Sequence, residues 1–288
     1  MARPGERDQD EAAPPSSRPS SDTAPVQREH LEHLEHLEHL EHRERLERLH
    51  AAWAEAWQAL GLPGHGAALR EALLTAWSEP WRRYHTLQHL DECLDALARA
   101  RGLADAPAEL ALALWFHDAV YEPAARDNEA RSADWARRAL SDAGLPPAAV
   151  QRIADLVMLT CHDASPLPGD AALLVDIDLA ALAAPAARRA EVEAQVRAEY
   201  GFVPEPAFRA GRATVLEGLL RRPVLYATPA LRAAWEPIAR AHLTEVLADL
   251  RGPVSDPQTA MPERSMADAD KEAGAGTRTR ARTAPRHD

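Results

Sequence analysis

Imidazole and carboxylate side chains lie at the ends of the three most apolar segments of this chain. They are His85 and His89 in YHTLQHLDECL (84–94), His117 and Asp118 in LALWFHDAVY (112–121), and Asp176 and Asp178 in LLVDIDLAAL (173–182). Burying such groups costs several kcal/mol unless a partner neutralises them. A single divalent cation can neutralise two carboxylates and orient the imidazoles at the same time. These residues therefore predict a buried metal site.

The mixture of nitrogen and oxygen atoms indicates which ion suits this site. Imidazole together with carboxylate suits a divalent transition metal (Mn, Fe, Co, Ni or Zn), whereas Mg and Ca prefer oxygen alone. Such an ion lowers the pKa of a bound water and so supports hydrolysis near neutral pH. Metal-assisted hydrolysis is the chemistry to expect.

The composition excludes several other kinds of site and partner. The net charge of −12 belongs to the middle of the chain and argues against binding a nucleic-acid polymer. The single lysine, Lys271, lies near the C-terminus, which excludes a Walker phosphate loop and Schiff-base chemistry in the folded part. Cys93 and Cys161 are too few and too far apart for a thiolate zinc cluster. Because no apolar run approaches the roughly 18 residues of a membrane span and no signal region is present, we expect a cytoplasmic protein without membrane contact.

Low-complexity segments flank the central part of the chain. Residues 1–28 and 252–288 are rich in Pro, Ser and charge, and we expect disordered tails there. Residues 29–45 contain the repeat EHLEHLEHLEHLEH, whose three-residue period prevents its leucines from forming one lasting helical stripe. We interpret it as a helical extension of the domain, while a histidine-rich metal tract and weak self-association of two or more copies stay open.

From Leu46 onward the apolar residues recur at helical spacing, first through Trp53 and Trp57 to a stop at Gly61. A second helix starts near Leu69 and stops at Pro80. Further helices are predicted at 89–100, 107–117, 128–140, 147–161, 171–183, 187–200, 205–221 and 229–250, separated by Pro, Gly or Asp. No stretch alternates as a strand does. The sequence therefore predicts an all-α fold with one helical bundle domain at 46–251.

The order His…His-Asp…Asp on an all-α chain resembles the HD superfamily of metal-dependent phosphohydrolases. The similarity is greater still to a bacterial branch of predicted HD phosphohydrolases. Its chains share the phrases RRYHTLQHL, WFHDAVYEP, DNEARSA, DIDLAAL and RAEYGFVPEPAFRAGRATVLEGLLRRPVLY. The dipeptide His-Asp alone is a weak signal, whereas the ordered set with its flanking phrases is specific. The resemblance covers essentially the whole predicted domain and implies an HD-type bundle.

The resemblance implies a role for each residue of the motif. His89, His117 and Asp118 become metal ligands, and Asp118 also counts as catalytic. The fourth ligand is an aspartate before a short apolar run, which favours Asp178 and leaves Asp176 as the alternative. Many HD enzymes carry further histidines for a second metal, but here the position after the His-Asp helix reads DNE, so we expect one ion.

The phrase YHTLQH also resembles the Tyr-His-Asn-x-x-His phrase of cyclic nucleotide phosphodiesterases, in which the first histidine protonates the leaving oxygen. This implies that His85 is the general acid, a role that suits a side chain with a pKa of about 6.5. The expected surroundings of the site, in contact with substrate or orienting the ligands, are Tyr84, Asn128, Glu129, His162, Arg209 and Arg212.

Each of these surrounding residues has a plainer alternative. Asn128 and Glu129 orient ligands or only start a helix. His162 contacts phosphate or is a further ligand. Arg209 and Arg212, in a polar cluster with Arg197, Glu199 and Tyr200, clamp phosphate oxygens or form routine surface ion pairs.

Two functions follow as expectations. The first is a metal-dependent phosphohydrolase that cleaves a phosphate ester of a nucleotide or another small molecule with metal-activated water. The alternative is a sensor module that binds metal or nucleotide in the same pocket without turnover. In both cases the partner is a small phosphorylated molecule.

Overall fold

Residues 23–162 and 168–252 are described by the computed structural model, and helices joined by short connections account for them. The α-helices of these ranges are α1 (Thr23–Ala59), α2 (Ala67–Trp77), α3 (Leu87–Ala100), α4 (Pro107–Phe116), α5 (Asn128–Asp142), α6 (Pro147–Met158), α7 (Gly169–Asp178), α8 (Ala186–Glu199), α9 (Glu205–Arg221) and α10 (Pro229–Arg251). Short 3₁₀ turns follow α3, α6 and α7 at Arg101–Leu103, Leu159–Cys161 and Leu179–Ala183. No strand occurs in the described ranges, and the predicted all-α fold is confirmed.

One helix continues across the predicted domain boundary at residue 46. α1 begins at Thr23, passes through the Glu-His-Leu repeat and enters the core as one helix. The described residues up to Arg251 form one compact unit. Most of the two predicted tails, residues 1–22 and 253–288, lies outside the described residues. None of the described helices combines the length and the apolar character needed to cross a bilayer.

The C-terminal half of α1 is held by aromatic packing. Trp53 stacks on Trp57 with ring centroids 5.1 Å apart and meets the edge of Trp115 at 5.2 Å. The indole N–H groups of Trp53 and Trp57 donate to the carbonyls of His65 and Pro63 in the turn after α1, so both rings are buried without an unpaired donor. The histidines of the repeat whose side chains are described are exposed, namely His33, His36, His39 and His42.

α4 is the central helix of the bundle. Every residue from Glu109 to Phe116 is buried, and α1, α3, α5 and α6 all pack on this helix. A helix that is apolar on all sides is stable only when surrounded in this way. The carboxylate of Glu109 pairs with Arg152 of α6 at the start of the helix. His117 and Asp118 follow the C-terminal end of α4 and are therefore buried inside the protein.

A second, smaller apolar cluster fixes the end of α7. It consists of Leu182, Leu216, Leu225, Tyr226, Ala239 and Leu243. The hydroxyl of Tyr226 donates to the carbonyl of Leu179 at 2.9 Å. Because Leu179 follows α7 directly, this bond ties the C-terminal end of α7 to the segment before α10.

Candidate metal centre

Three helices bring His89, His117 and Asp178 to one point of the bundle. His89 lies in the first turn of α3, where Thr86 is the N-cap and accepts the N–H of Gln88. His117 follows α4, and Asp178 is the last residue of α7. Their side chains are 3%, 0% and 11% exposed, so the group is almost completely removed from solvent.

The ligand atoms of these three residues converge. Nε2 of His89 lies 3.2 Å from Nε2 of His117 and 3.2 Å from Oδ1 of Asp178, and Nε2 of His117 lies 3.4 Å from the same oxygen. All ligand atoms of the group fall within 4.8 Å of one another, and it is the one such His/Cys/Asp/Glu group found in the described part of the chain. The group could hold a metal ion.

The tautomer of His117 fits metal ligation. Its Nδ1 lies 2.7 Å from the carbonyl of Leu114, and since a carbonyl only accepts, Nδ1 carries a proton and donates. In the neutral ring Nε2 then presents a lone pair towards His89 and Asp178. A ligating histidine is normally held in this way, with its other ring nitrogen bonded to a fixed acceptor. The donor set therefore fits a metal ion.

Electrostatics at the group favour a positive charge. Burial alone would lower the pKa of His117, but the charges of Asp118 and Asp178 raise it well above its usual value. Burial alone would raise the pKa of Asp178, but the charge of His117 and hydrogen bonds from His117, His162 and His89 hold it well below its usual range. The carboxylates stay ionised, as metal ligation requires.

Asp118 borders the group on the side of His85. Its Oδ2 lies 3.1 Å from Nε2 of His117 and 3.9 Å from Nε2 of His85. Burial opposes ionisation, yet the charges of His117 and His85 keep the pKa of Asp118 below its usual range. The predicted general acid thus lies beside one predicted metal ligand, and the ring of Tyr121 stacks on the His85 ring at 4.1 Å.

Glu199 holds His85 in place, whereas the sequence indicated this residue only as part of a polar cluster with Arg209 and Arg212. Nδ1 of His85 lies 2.6 Å from Oε1 of Glu199, whose side chain is fully buried. The other carboxylate oxygen accepts the backbone N–H groups of Arg83, Tyr84 and His85 at 2.9, 3.0 and 3.1 Å. Burial opposes ionisation, but the hydrogen bond and the charge of His85 lower the pKa of Glu199 to about 2. A signal was present, because Glu199 continues the buried positions Val192 and Val196 of α8 at helical spacing.

Two further predicted residues lie at the group. Nε2 of His162 is 3.0 Å from Oδ2 of Asp178, so the two oxygens of this carboxylate face different histidines. His162 has a φ of 59°, the one positive φ of a non-glycine residue in ranges 23–162 and 168–252. Its backbone carbonyl accepts from Arg222. The ring of Tyr84 lies 4.9 Å from the ring of His89, and burial raises the pKa of Tyr84.

Asp176 belongs to a different part of the structure. Its two carboxylate oxygens accept the backbone N–H groups of Ala227 and Thr228 at 2.8 and 2.6 Å, just before α10. Burial raises the pKa of Asp176, and these hydrogen bonds lower it in part. Of the two alternatives for the fourth ligand, Asp178 is therefore the one that lies in the metal-ligand group.

The remaining predicted residues have other contacts. The amide of Asn128 donates to the carbonyl of Glu122 and accepts its N–H, which braces the loop before α5. Glu129 is partly buried in the first turn of α5. Arg212 forms two bonds with Glu193 of α8, and Arg209 donates to the carbonyl of Asp249. None of these hydrogen bonds reaches His89, His117 or Asp178.

Comparison of the chain with protein-family models, with curated proteins and with solved structures finds no match. The site consists of a buried His-His-Asp group, with an imidazole–carboxylate pair and a further aspartate next to it.

Proposed function

We propose that the chain is a metal-dependent phosphohydrolase of the HD type, acting on a small phosphate ester. The observation that carries this proposal is the convergence of His89, His117 and Asp178 from three helices, beside a His85–Glu199 pair. A buried group of this composition supports metal binding, and an oriented imidazole next to it supports proton transfer. Together they favour hydrolysis over binding alone.

The residues that would hold the ion are His89, His117 and Asp178, whose ligand atoms converge, while Asp118 beside them is assigned to proton transfer. A bound divalent transition metal supplies Lewis-acid activation of water and of the phosphoryl oxygens. The protein keeps Nε2 of His117 available through the hydrogen bond from Nδ1 to Leu114. Burial keeps competing bulk water away from the reacting groups.

Proton transfer is assigned to His85 and Asp118. Water attacks phosphorus while its proton passes to the carboxylate of Asp118, the bond to the leaving oxygen breaks, and that oxygen takes the proton from Nε2 of His85. The carboxylate of Glu199 accepts a hydrogen bond from Nδ1 of His85 at 2.6 Å and so orients the ring, whose Nε2 lies beside Asp118. Afterwards the proton on Asp118 returns to His85 across the 3.9 Å between Oδ2 and Nε2. The cycle consumes one water and leaves both groups as they began.

The substrate approaches from the side of the more exposed imidazoles. The His85 and His162 side chains are 21% and 26% exposed, whereas those of His89 and His117 are 3% and 0% exposed. The ring of His85 lies next to the Asp118 carboxylate and the ring of His162 next to the Asp178 carboxylate, and both rings supply hydrogen-bond donors for phosphate oxygens. Arg212 and Arg209 are not needed in this role, because they contact Glu193, Glu205 and a backbone carbonyl.

The test compares the wild-type protein with His117→Ala and, as a matched control, His242→Ala. His242 is also a buried histidine beside a carboxylate, 3.7 Å from Glu193. Metal content after gel filtration and hydrolysis of a panel of nucleotides and phosphate esters are measured for all three. We expect His117→Ala to lose the bound metal and the activity, and His242→Ala to keep both. The histidines of the repeat are present in all three proteins, so metal bound by the repeat contributes equally to each and does not affect the difference in metal content between them.

His85→Ala separates an enzyme from a sensor. An enzyme keeps the metal and loses turnover, whereas a sensor binds metal in every form that retains His89, His117 and Asp178 and hydrolyses nothing. Undiminished metal and turnover in His117→Ala would refute the proposal.

A further inference from the structure

Arg82 places a buried guanidinium directly behind the proposed reaction site. Its side chain is fully buried, and its charge is met by Glu79, whose carboxylate accepts from Nε at 3.0 Å. The guanidinium carbon also lies 5.5 Å from the ring centroids of Trp77 and Tyr121. A buried cation with a carboxylate and two aromatic rings around it has a fixed position.

The two terminal nitrogens of Arg82 bond three backbone carbonyls. Nη1 donates to His85 at 3.2 Å and to Asp118 at 2.7 Å, and Nη2 donates to Ala119 at 3.0 Å. The first carbonyl belongs to the loop between α2 and α3, and the other two belong to the segment after α4. The side chain therefore joins the two segments that carry the general acid and the proton acceptor.

This clamp acts on two residues whose side chains face each other. Nε2 of His85 and Oδ2 of Asp118 are 3.9 Å apart, and Arg82 bonds the main chain of both. By contrast, His89, His117 and Asp178 are positioned by α3, α4 and α7, and the N–H of His117 still donates to Ala113 in the helical pattern. The clamp is thus specific to the proton-transfer pair and is not needed to assemble the metal-ligand group.

We propose that Arg82 is a positioning residue for hydrolysis, which sets the separation between the imidazole of His85 and the carboxylate of Asp118. The inference rests on the proposed function for its effect on rate, while its effect on geometry is independent of it. A planar guanidinium reaches several carbonyls at once, whereas a lysine ammonium is a point charge on a flexible stem. Arg82→Lys therefore keeps the charge and loses the clamp.

The experiment compares Arg82→Lys with the matched control Arg240→Lys. Arg240 has a similar pattern of bonds, with Nε on Glu236 and the terminal nitrogens on two carbonyls, those of Leu220 and Arg222. We expect Arg82→Lys to lower kcat about tenfold to a hundredfold, the cost of a small misplacement of reacting groups. Metal content and KM stay unchanged in this variant, and the control keeps the wild-type kcat.

Crystal structures of the wild-type and Arg82→Lys proteins supply the readout that does not need turnover. We expect a longer distance from His85 Nε2 to Asp118 Oδ2 in the variant, with His89, His117 and Asp178 unmoved. An unchanged distance, or an unchanged kcat in an active protein, would overturn the inference. If the wild-type protein hydrolyses nothing, the proposed function fails while the distance still decides the role of Arg82.

Glu79→Gln covers the case in which Arg82→Lys does not fold. This change removes the charge that holds Nε of Arg82 but leaves the guanidinium in the chain. We expect a smaller loss of kcat in the same direction, again with unchanged metal content. A wild-type kcat in Glu79→Gln would then count against the inference.

Discussion

Replacing Glu199 by glutamine should stop His85 from acting as an acid while the fold and the metal-ligand group persist. The carboxylate makes two kinds of contact: Oε1 bonds Nδ1 of His85, and Oε2 accepts three backbone N–H groups. The three backbone N–H groups around the Oε2 position are all donors and cannot bond an amide NH₂, which is also a donor. The glutamine side-chain oxygen must therefore occupy the Oε2 position. The NH₂ group then faces Nδ1 of His85.

This orientation changes the protonation of the imidazole. Nδ1 must accept a hydrogen bond from the glutamine, so it cannot carry a proton, and the doubly protonated ring is disfavoured. The neutral ring that remains holds a proton on Nε2 but releases it far less readily. A hydrogen bond to a charged group is worth about 1.5–3 kcal/mol. Since 1.4 kcal/mol corresponds to a factor of ten, kcat should fall about tenfold to a hundredfold.

The assay measures kcat, KM, metal content and thermal unfolding for Glu199→Gln and for a matched control, Glu193→Gln. Glu193 is also partly buried on α8, where it bonds Arg212 and lies 3.7 Å from His242. We expect the control to lose some stability and keep its kcat, and Glu199→Gln to lose kcat at unchanged metal content. A wild-type kcat in Glu199→Gln would refute the assignment of His85 as a general acid held by this carboxylate.

Two other changes test the structural side. Asp176→Asn should keep the metal and lower the free energy of unfolding by about 1–3 kcal/mol, because an amide offers one oxygen to the two backbone N–H groups before α10; metal analysis and urea denaturation check this, and loss of the metal would contradict it. Glu236→Gln tests pH dependence: burial opposes ionisation, but bonds from Arg240 and from the N–H groups of Leu225 and Tyr226 lower the pKa of Glu236. A lowered pKa stabilises the fold above the unfolded-state value of about 4.5, and this stabilisation is lost as the pH falls below it. The stability difference between Glu236→Gln and wild type should therefore be present at pH 7 and shrink below pH ~4.5 in denaturation curves; a constant difference would contradict it.

Local sequence signals were sufficient for the helices and for part of the site. The run ELALALWF has no polar face, which predicts a fully surrounded helix, and α4 is surrounded. Thr86 before an amphipathic segment predicts an N-cap, and it places His85 just outside α3 and His89 just inside. Imidazoles and carboxylates at the ends of apolar segments were enough to nominate His89 and His117, and the resemblance to the HD superfamily favoured Asp178 over Asp176; these three side chains converge.

Contacts between distant segments could not be read in the same way. Asp176 and Asp178 are both flanked by apolar residues, so the sequence does not distinguish them. The folded position of the segment before α10 does, because Asp176 bonds the N–H of Ala227 in that segment while Asp178 lies with His89 and His117. Arg82 bonds carbonyls 36 and 37 positions away, and because every residue has a backbone carbonyl, residue types do not indicate which carbonyl is the acceptor. The same holds for the three N–H groups that surround Glu199.

The partner of His85 lies 114 positions further along the chain, which has a consequence for biosynthesis. At about 5–20 residues per second, a ribosome that has translated His85 needs roughly 6–23 s more to reach Glu199. During that interval the nascent polypeptide already contains His89, His117 and later Asp178, but its imidazole at position 85 has no anchor. A cation captured at this stage would be bound before Glu199 can orient His85, so the proton-transfer group is completed only after α8 has been synthesised.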